Sequence, residues 1–562
     1  MSEFFEDLNY ACRTLLKARA FTAIALATLA LGIGGNAAIF SFVSGVLLKP
    51  LPYDHPERIV RVLEKPPGGG TNGISTLNYL DWVKENTVFE AMAAQAGGGV
   101  TLTGVDVPVQ LRSSRVSVQY FEVFAVKAEL GRTFAAGEDV LGQHRVVVLT
   151  HSLWQSQFGG DRGIIGRTIQ LSGEPYTVIG VLPGGGQFDR GYTQIWRPLA
   201  FAPENMTRNF HWFSTYARLK PGVTLEQARA EMDRIGQRIA HAYPDIKKGW
   251  SVAVDSFAAV IVGPQLRSSL YVLLAAVGMV LLIACANLAN LSLTRGLARE
   301  REVAIRASLG ASRGRLIRQF LTESVLLSAG GGVLGLAFGY GMMLALKFAL
   351  PPFSLPREAE VAMDGRVLLF TLALAVITGV VCGLFPALQA TRLDLANAMK
   401  QGSSGAGHGR ARQGARTALV VTEVALAFVL LTGAGLLLRT FDQLQKVALG
   451  FDPTNVITAG LPISDKQLPT ADAMNAYLRR LADGIAAVPG VREVAFSSAL
   501  PLRGWGYGMP FHRADREVAD RAGRPACFFK MVSPSYFRAL GISTLMGRGL
   551  TERDVKGSPP WR

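Results

Sequence analysis

The sequence predicts a membrane protein, an α-helical transmembrane bundle of five spans with mixed α+β extracytoplasmic domains. Three observations predict it. Five apolar stretches are each long enough to cross a bilayer. Basic residues crowd into alternate connections between those stretches. The long segments left over are polar and carry short runs rich in β-branched residues.

A spanning helix needs about 20 mostly apolar residues. Residues 21–48, 268–294, 324–346 and 367–391 contain no charged side chain, and 417–438 contains only Glu423. A buried core helix is shorter, roughly 10–14 apolar residues, and does not recur five times. The first run is also too long for a cleavable signal, and no small-residue cleavage site follows it. Only 18% of the 562 residues are charged, against roughly 25% in soluble chains.

The net charge of +16 is explained by position rather than by nucleic-acid binding. Arg13, Lys17 and Arg19 flank the first span. Arg295, Arg299, Arg301, Arg306, Arg313, Arg315 and Arg318 follow the second. Arg392, Lys400, Arg410, Arg412 and Arg416 follow the fourth. The connection after the third has no such excess. Short basic loops stay in the cytoplasm, so the N-terminus is expected inside and every span alternates from there. The organisation is then a cytoplasmic segment (1–20), span 1 (21–48), an external domain (49–267) and span 2 (268–294). A cytoplasmic loop (295–323), span 3 (324–346), a short external loop (347–366) and span 4 (367–391) follow. A second cytoplasmic loop (392–416), span 5 (417–438) and a second external region (439–562) complete it. Only Cys527 of the four cysteines falls outside, so no disulfide forms within the external regions.

In the external domain, residues 59–63 (IVRVL), 146–150 (VVVLT) and 176–181 (YTVIGV) read as strands. Residues 77–94 read as a helix. Residues 224–243 read as a surface helix with Leu225, Ala228, Met232, Ile235 and Ile239 on one face. Thr224 and Gln227 stand in capping-box register there.

Residues 116–132 (VSVQYFEVFAVKAELGR) recur as 532–548 (VSPSYFRALGISTLMGR). The chain reads as one unit of span, outer domain and three spans, then the start of a second copy. On that reading it is truncated relative to its architecture, and 439–562 is a partial second domain.

The chemistry is sparse. The glycines at 68–73 lack the lysine that a phosphate loop needs. No paired-cysteine metal site, H-E-x-x-H helix or nucleophile elbow is present, and His151, His211 and His241 read as ordinary surface or core residues. No cofactor is expected to bind directly, and no enzyme activity is expected. The stretch LTRGLAREREVAIRASLGASRGRLIRQFLTES, 293–324, holds a short helix with charges on one side and Val303, Ala304 and Ala307 on the other. Gly310 is placed to end it, and Ser312 to cap the next helix. Such a helix either docks in a partner's groove or only sets topology. Gly331, Gly335 and Gly339 repeat every fourth residue on span 3, a spacing that allows close helix packing. Asn287 and Asn290 are placed for hydrogen bonds between helices.

The loop, with AIRASLGASRGRLIRQFLTESVLLSAGGGVLG after it, resembles the signature of MacB/FtsX-type ABC transporter permeases. PYDHPERIV and STLNYLDWVKENTVFE resemble the duplicated orphan permease branch of that family. The resemblance implies that 49–267 is a periplasmic core domain and 295–323 a coupling loop. Glu300, Arg301, Glu302, Ala304, Arg306, Leu309, Gly310 and Ala311 would face a dimeric cytoplasmic ABC ATPase, which alone would use ATP. It further implies mechanotransmission in an export or efflux system of the bacterial inner membrane, with a periplasmic adaptor protein as an additional partner. A non-transporting FtsX-like signalling protein that controls a periplasmic partner, and a nonfunctional truncated remnant, remain as alternatives.

Overall fold

The computed structural model describes residues 2–105, 107–298, 312–351, 354–356, 358–391, 406–461, 468, 470–502, 507–511 and 526–554. They fall into two compact units. One joins Met1–Leu51 to Ile261–Gln445, and the other joins Pro52–Val260 to Lys446–Arg562.

The first unit holds five helices long and apolar enough to cross a membrane. Their apolar parts are Arg19–Leu48, Phe257–Ser292, Ile317–Ala349, Gly365–Leu384 and Thr417–Lys446, one for each apolar stretch of the sequence. An amphipathic helix, Ser2–Lys17, precedes span 1, and span 1 ends in a π-helical turn at Ser44–Leu48. The helix of span 2 begins at Phe257 and is broken at Gly263, where φ is 69° and Pro264 follows. Glycine tolerates that left-handed backbone, and the proline removes a donor just beyond it. Leu29, Ile33, Leu281, Leu288, Leu327 and Ala375 form one apolar core among spans 1–4. Ala38, Phe42, Leu270, Met343 and Val361 form a second. Span 5 is different, because none of its most apolar stretch is buried. Val424, Phe428 and Leu431 are open to the surroundings, the surface a lipid bilayer covers.

The second unit is built on an 11-stranded mixed sheet. Its strands are β1 (Ile59–Lys65), β2 (Ile74–Ser75), β3 (Phe89–Thr103), β4 (Val109–Val116), β5 (Leu130–Gly131) and β6 (Val146–Leu149). β7 (Thr168–Leu171), β8 (Glu174–Val181), β9 (Ile195–Pro198), β10 (His211–Leu219) and β11 (Ser251–Ser256) complete it. The main order is β11-β1-β10-β3-β4-β9-β6-β8-β5, with β4–β9 and β6–β8 parallel. Helix α1 (Thr76–Glu85) and helix α2 (Leu225–Ala242) help enclose one core, which includes Val60, Trp82, Met92, Phe213, Met232 and Ile235. A second core gathers Val100, Leu111, Val147, Trp154, Ile169 and Val178. The 15-residue strand β3 serves both, with Gly97–Gly98–Gly99 between its two sets of buried residues.

Helix α2 begins on the expected capping box. Thr224 accepts from the Gln227 amide and the Gln227 side chain accepts from the Thr224 amide. The helix expected over 77–94 is corrected. It ends at Glu85, and 89–94 belong to β3, paired with β10. Asn86 stops it by donating to the Trp82 carbonyl (2.6 Å) and accepting from the Phe89 amide (3.2 Å). The alanines of 91–96 favour a helix locally, but pairing with β10 and burial decide their conformation.

The internal repeat returns in the geometry. Tyr120 N donates to Ser117 O and Tyr536 N to Ser533 O, each at 3.0 Å. Ala125 and Gly541 both have positive φ (53° and 62°), as do Gly131 and Gly547 (73° and 76°). Arg132 grips Glu138 with two bonds of 2.9 and 2.6 Å, and Arg548 grips Asp554 with two of 2.8 Å. Each pair falls at the one offset that relates the two sequence stretches.

Candidate functional site

The residues that the resemblance assigns to coupling, Glu300, Arg301, Glu302, Ala304, Arg306, Leu309, Gly310 and Ala311, lie outside the described residues. The helix that their loop enters is described. Ser312 caps it, its hydroxyl accepting from the Arg315 amide at 3.4 Å. One turn further on, Arg318 Nε donates to Asp7 Oδ2 at 2.8 Å, tying span 3 to the N-terminal helix.

Span 3 then runs along span 1 at backbone contact. A Cβ at Gly331 would stand 2.5 Å from Leu29 Cβ. One at Gly335 would stand 3.1 Å from the Ala30 oxygen and the Gly34 nitrogen, and one at Gly339 2.7 Å from the Gly34 oxygen. Two glycines of the stripe, Gly335 and Gly339, thus meet one glycine of span 1, Gly34, and Gly331 meets Leu29. Gly34 was missed in the sequence, although the run Gly32–Ile33–Gly34–Gly35 offered the signal. Gly379 and Gly383 of span 4 make a similar approach to Val325 and Ser324 of span 3. In lipid, where helices gain little from hiding apolar surface, such close approach is a main source of association.

Asn36, also unremarked in the sequence, is the buried amide that joins helices. Its Nδ2 donates to Gly32 O in its own helix and to Val277 O of span 2, both at 2.8 Å. The buried Oδ1 of Asn290 has no partner among the described residues. Beyond the far end of span 1, Lys49 pairs with Glu360 at 2.5 Å and Arg366 donates to Leu48 O at 3.1 Å. These bonds hold the loop between spans 3 and 4 against span 1.

In the sheet unit the most charged buried site is a closed ion network. Glu64 on β1 and Lys247, in the turn before β11, form an ion pair with side chains only 3% and 2% exposed. Glu64 Oε1 accepts from Asn78 Nδ2 (2.7 Å) and Ser75 Oγ (3.3 Å). His211 Nε2 lies 3.1 Å from Glu64 Oε2 and 2.9 Å from Lys247 Nζ. The His211 ring stacks on Trp250 at 4.9 Å with 3° between planes, and Lys247 Nζ sits 4.3 Å from the Trp250 ring centre. Burial works against the Glu64 charge, but the His211 hydrogen bond and the Lys247 charge outweigh it and hold its pKa at about 2. Burial lowers the Lys247 pKa, while Glu64 pulls it back up. With Lys247, Asn78, Ser75 and His211 around it, Glu64 stays ionised at neutral pH, paired with Lys247.

A small cavity lined by Glu64, Asn78, Trp82, Lys247 and Trp250 lies beside the network. β1 and β11 are adjacent antiparallel strands, and they are the first and last strands between spans 1 and 2 in the chain. The ion pair locks them together. A second lock lies nearby in sequence, where Tyr53 and Phe257 meet edge to face at 5.6 Å and both contact Phe124. Among the described residues no group of three or more His, Cys, Asp or Glu side chains is arranged to hold a metal.

Residues 22–235 match the model of a MacB-like periplasmic core domain, and residues 274–395 match that of the FtsX-like permease C-terminal domain. The chain thus carries a MacB-like periplasmic core domain and an FtsX-like permease domain. It is 28% identical over 297 residues to the macrolide export ATP-binding/permease protein MacB of Chromobacterium violaceum, covering 52% of this chain and 44% of that protein. It is 25% identical over 319 residues to MacB 1 of Yersinia pestis bv. Antiqua, covering 56% and 47%. The chain thus spans less than half the length of these relatives. Among solved structures it is similar to the periplasmic region of MacB from Actinobacillus actinomycetemcomitans. That likeness has a TM-score of 0.28 and 14% identity, over 38% of this chain and 92% of that one.

Proposed function

We propose that this chain is the permease subunit of an ABC-type export system that works by mechanotransmission with a separate cytoplasmic ATPase. The observation that carries the reading is the continuity of one helix. The loop 295–311 leads into the Ser312 cap, and the helix that starts there is packed on span 1 through the glycine seam. Span 1 leads in sequence into β1, which the buried ion pair fixes to β11 and so to the start of span 2. On this reading a displacement of residues 295–311 passes to span 3 and, through the glycine seam, to span 1. Glu300 to Arg306 and the turn Leu309 to Ala311 would receive that displacement from the ATPase.

Affinity purification of the chain from membranes should recover an ABC ATPase. Ala304→Glu or Gly310→Trp should lower that recovery at least tenfold while membrane insertion is unchanged, because an unpaired buried carboxylate costs several kcal/mol. Equal recovery of the ATPase with both variants would remove the coupling assignment. ATPase recovery without export of any amphiphilic substrate would favour the signalling alternative.

The orientation has its own test. On our reading the N-terminus lies on the cytoplasmic side of a bacterial inner membrane and 49–267 in the periplasm. Glu226 is exposed on helix α2. In a cysteine-free background, Glu226→Cys should react with an impermeant maleimide in intact spheroplasts. Protection until the cells are lysed would invert the topology.

A further inference from the structure

Spans 2 and 4 meet at two thiols. Cys382 is buried in the core formed by spans 1–4, and Cys285 packs against that core. The Cys382 thiol points at the Cys285 carbonyl oxygen, 3.8 Å away. Both cysteines are free, and Cys285 is only partly covered. The surrounding stretches, 268–294 and 367–391, contain no charged residue.

We propose that Cys285 and Cys382 form a redox latch, in which a lipid-soluble two-electron oxidant of the quinone class closes them into a disulfide that fastens span 2 to span 4. Both S–H bonds break and one S–S bond forms. Two electrons and two protons pass to the quinone, which leaves as the hydroquinone. Three physical grounds select this chemistry. Reactant and product are both uncharged, so neither state places a charge in the apolar interior. A water-borne disulfide would have to enter two segments without a charged residue to reach the thiols, so water-borne oxidants are poor reagents here. A quinone dissolves in the same layer as the thiols, and the partly covered face of Cys285 offers access. The covalent link would hold span 2, the helix that follows β11, to span 4.

The test uses the full chain in its native membrane. Membranes are treated with a fully substituted benzoquinone, which cannot add thiols to its ring, and the chain is denatured and its free thiols counted with a maleimide. The count should fall from four to two. Tryptic peptides carrying Cys285 and Cys382, which Arg366 and other basic residues separate, should appear as one linked species that dithiothreitol splits. Cys285→Ser should retain all three of its thiols under the same treatment. A count that stays at four, or linked peptides that contain Cys12 or Cys527 instead, overturns the proposal. So does loss of thiols that persists in Cys285→Ser, which would mean independent oxidation rather than a paired site.

Discussion

Lys247→Ala will lower the unfolding temperature of the outer domain by about 6–20 °C. The substitution leaves Glu64 buried and charged without its cation. Breaking a buried ion pair by removing one partner costs about 3–5 kcal/mol. Each kcal/mol shifts the midpoint of a domain of this size by about 2–4 °C. Five of the seven tryptophans, Trp82, Trp154, Trp196, Trp212 and Trp250, lie in this domain and none lies in a span. Tryptophan emission of the detergent-solubilised full chain therefore reports the transition. Glu64→Gln combined with Lys247→Met removes both charges and should recover most of the loss. Acid should mimic the single variant. The folded pKa of Glu64 is about 2 against an ordinary value of 4.5. The stability it contributes is complete above about pH 4.5 and drains away as the pH falls toward 2. A Lys247→Ala chain with an unchanged midpoint would show that the pair contributes nothing net.

Gly335→Leu will separate spans 1 and 3 and destabilise the membrane unit. Overpacking a filled site costs about 1–3 kcal/mol, and the upper end applies where the obstacle is backbone. At Gly335 the obstacle is the backbone of Ala30 and Gly34. Gly34→Leu should do the same from the other side, since a Cβ there stands 2.5 Å from the Gly335 oxygen. Gly341 is the internal control, because a Cβ at that position meets nothing within 4 Å. Gly341→Leu should match the parent in monodisperse yield after solubilisation and in thermal stability. Equal losses at 335 and 341 would mean that helix propensity, not the seam, sets the outcome.

The spans were legible in the sequence because composition alone decides where a chain can sit in hydrocarbon. The α2 helix was legible because its cap and its apolar face are both local. The error at residues 89–94 arose where local preference and long-range pairing disagree. The glycine stripe on span 3 was readable as a pattern, but its counterpart Gly34 stands beside Gly32 and Gly35, and nothing local says which of the three meets the span 3 backbone. The ion network was invisible for a related reason. Glu64 stands 147 residues from His211 and 183 from Lys247, and each looks like an ordinary surface residue in its own neighbourhood. Asn36 likewise takes its interhelical acceptor 241 residues away, at Val277.

The long strand β3 sets a limit on how the outer domain can come apart. Phe89, Met92 and Ala94 belong to one core, and Val100 and Leu102 belong to the other. A single ribbon of backbone therefore has one end built into each lobe. Neither lobe can release its end without fraying the ladder on which the other depends. The two cores are separate as clusters of side chains but joined as a folding problem. A protein that must carry load from one end of a domain to the other gains from that arrangement, because the weakest path through the domain is a continuous hydrogen-bonded strand rather than a packed boundary.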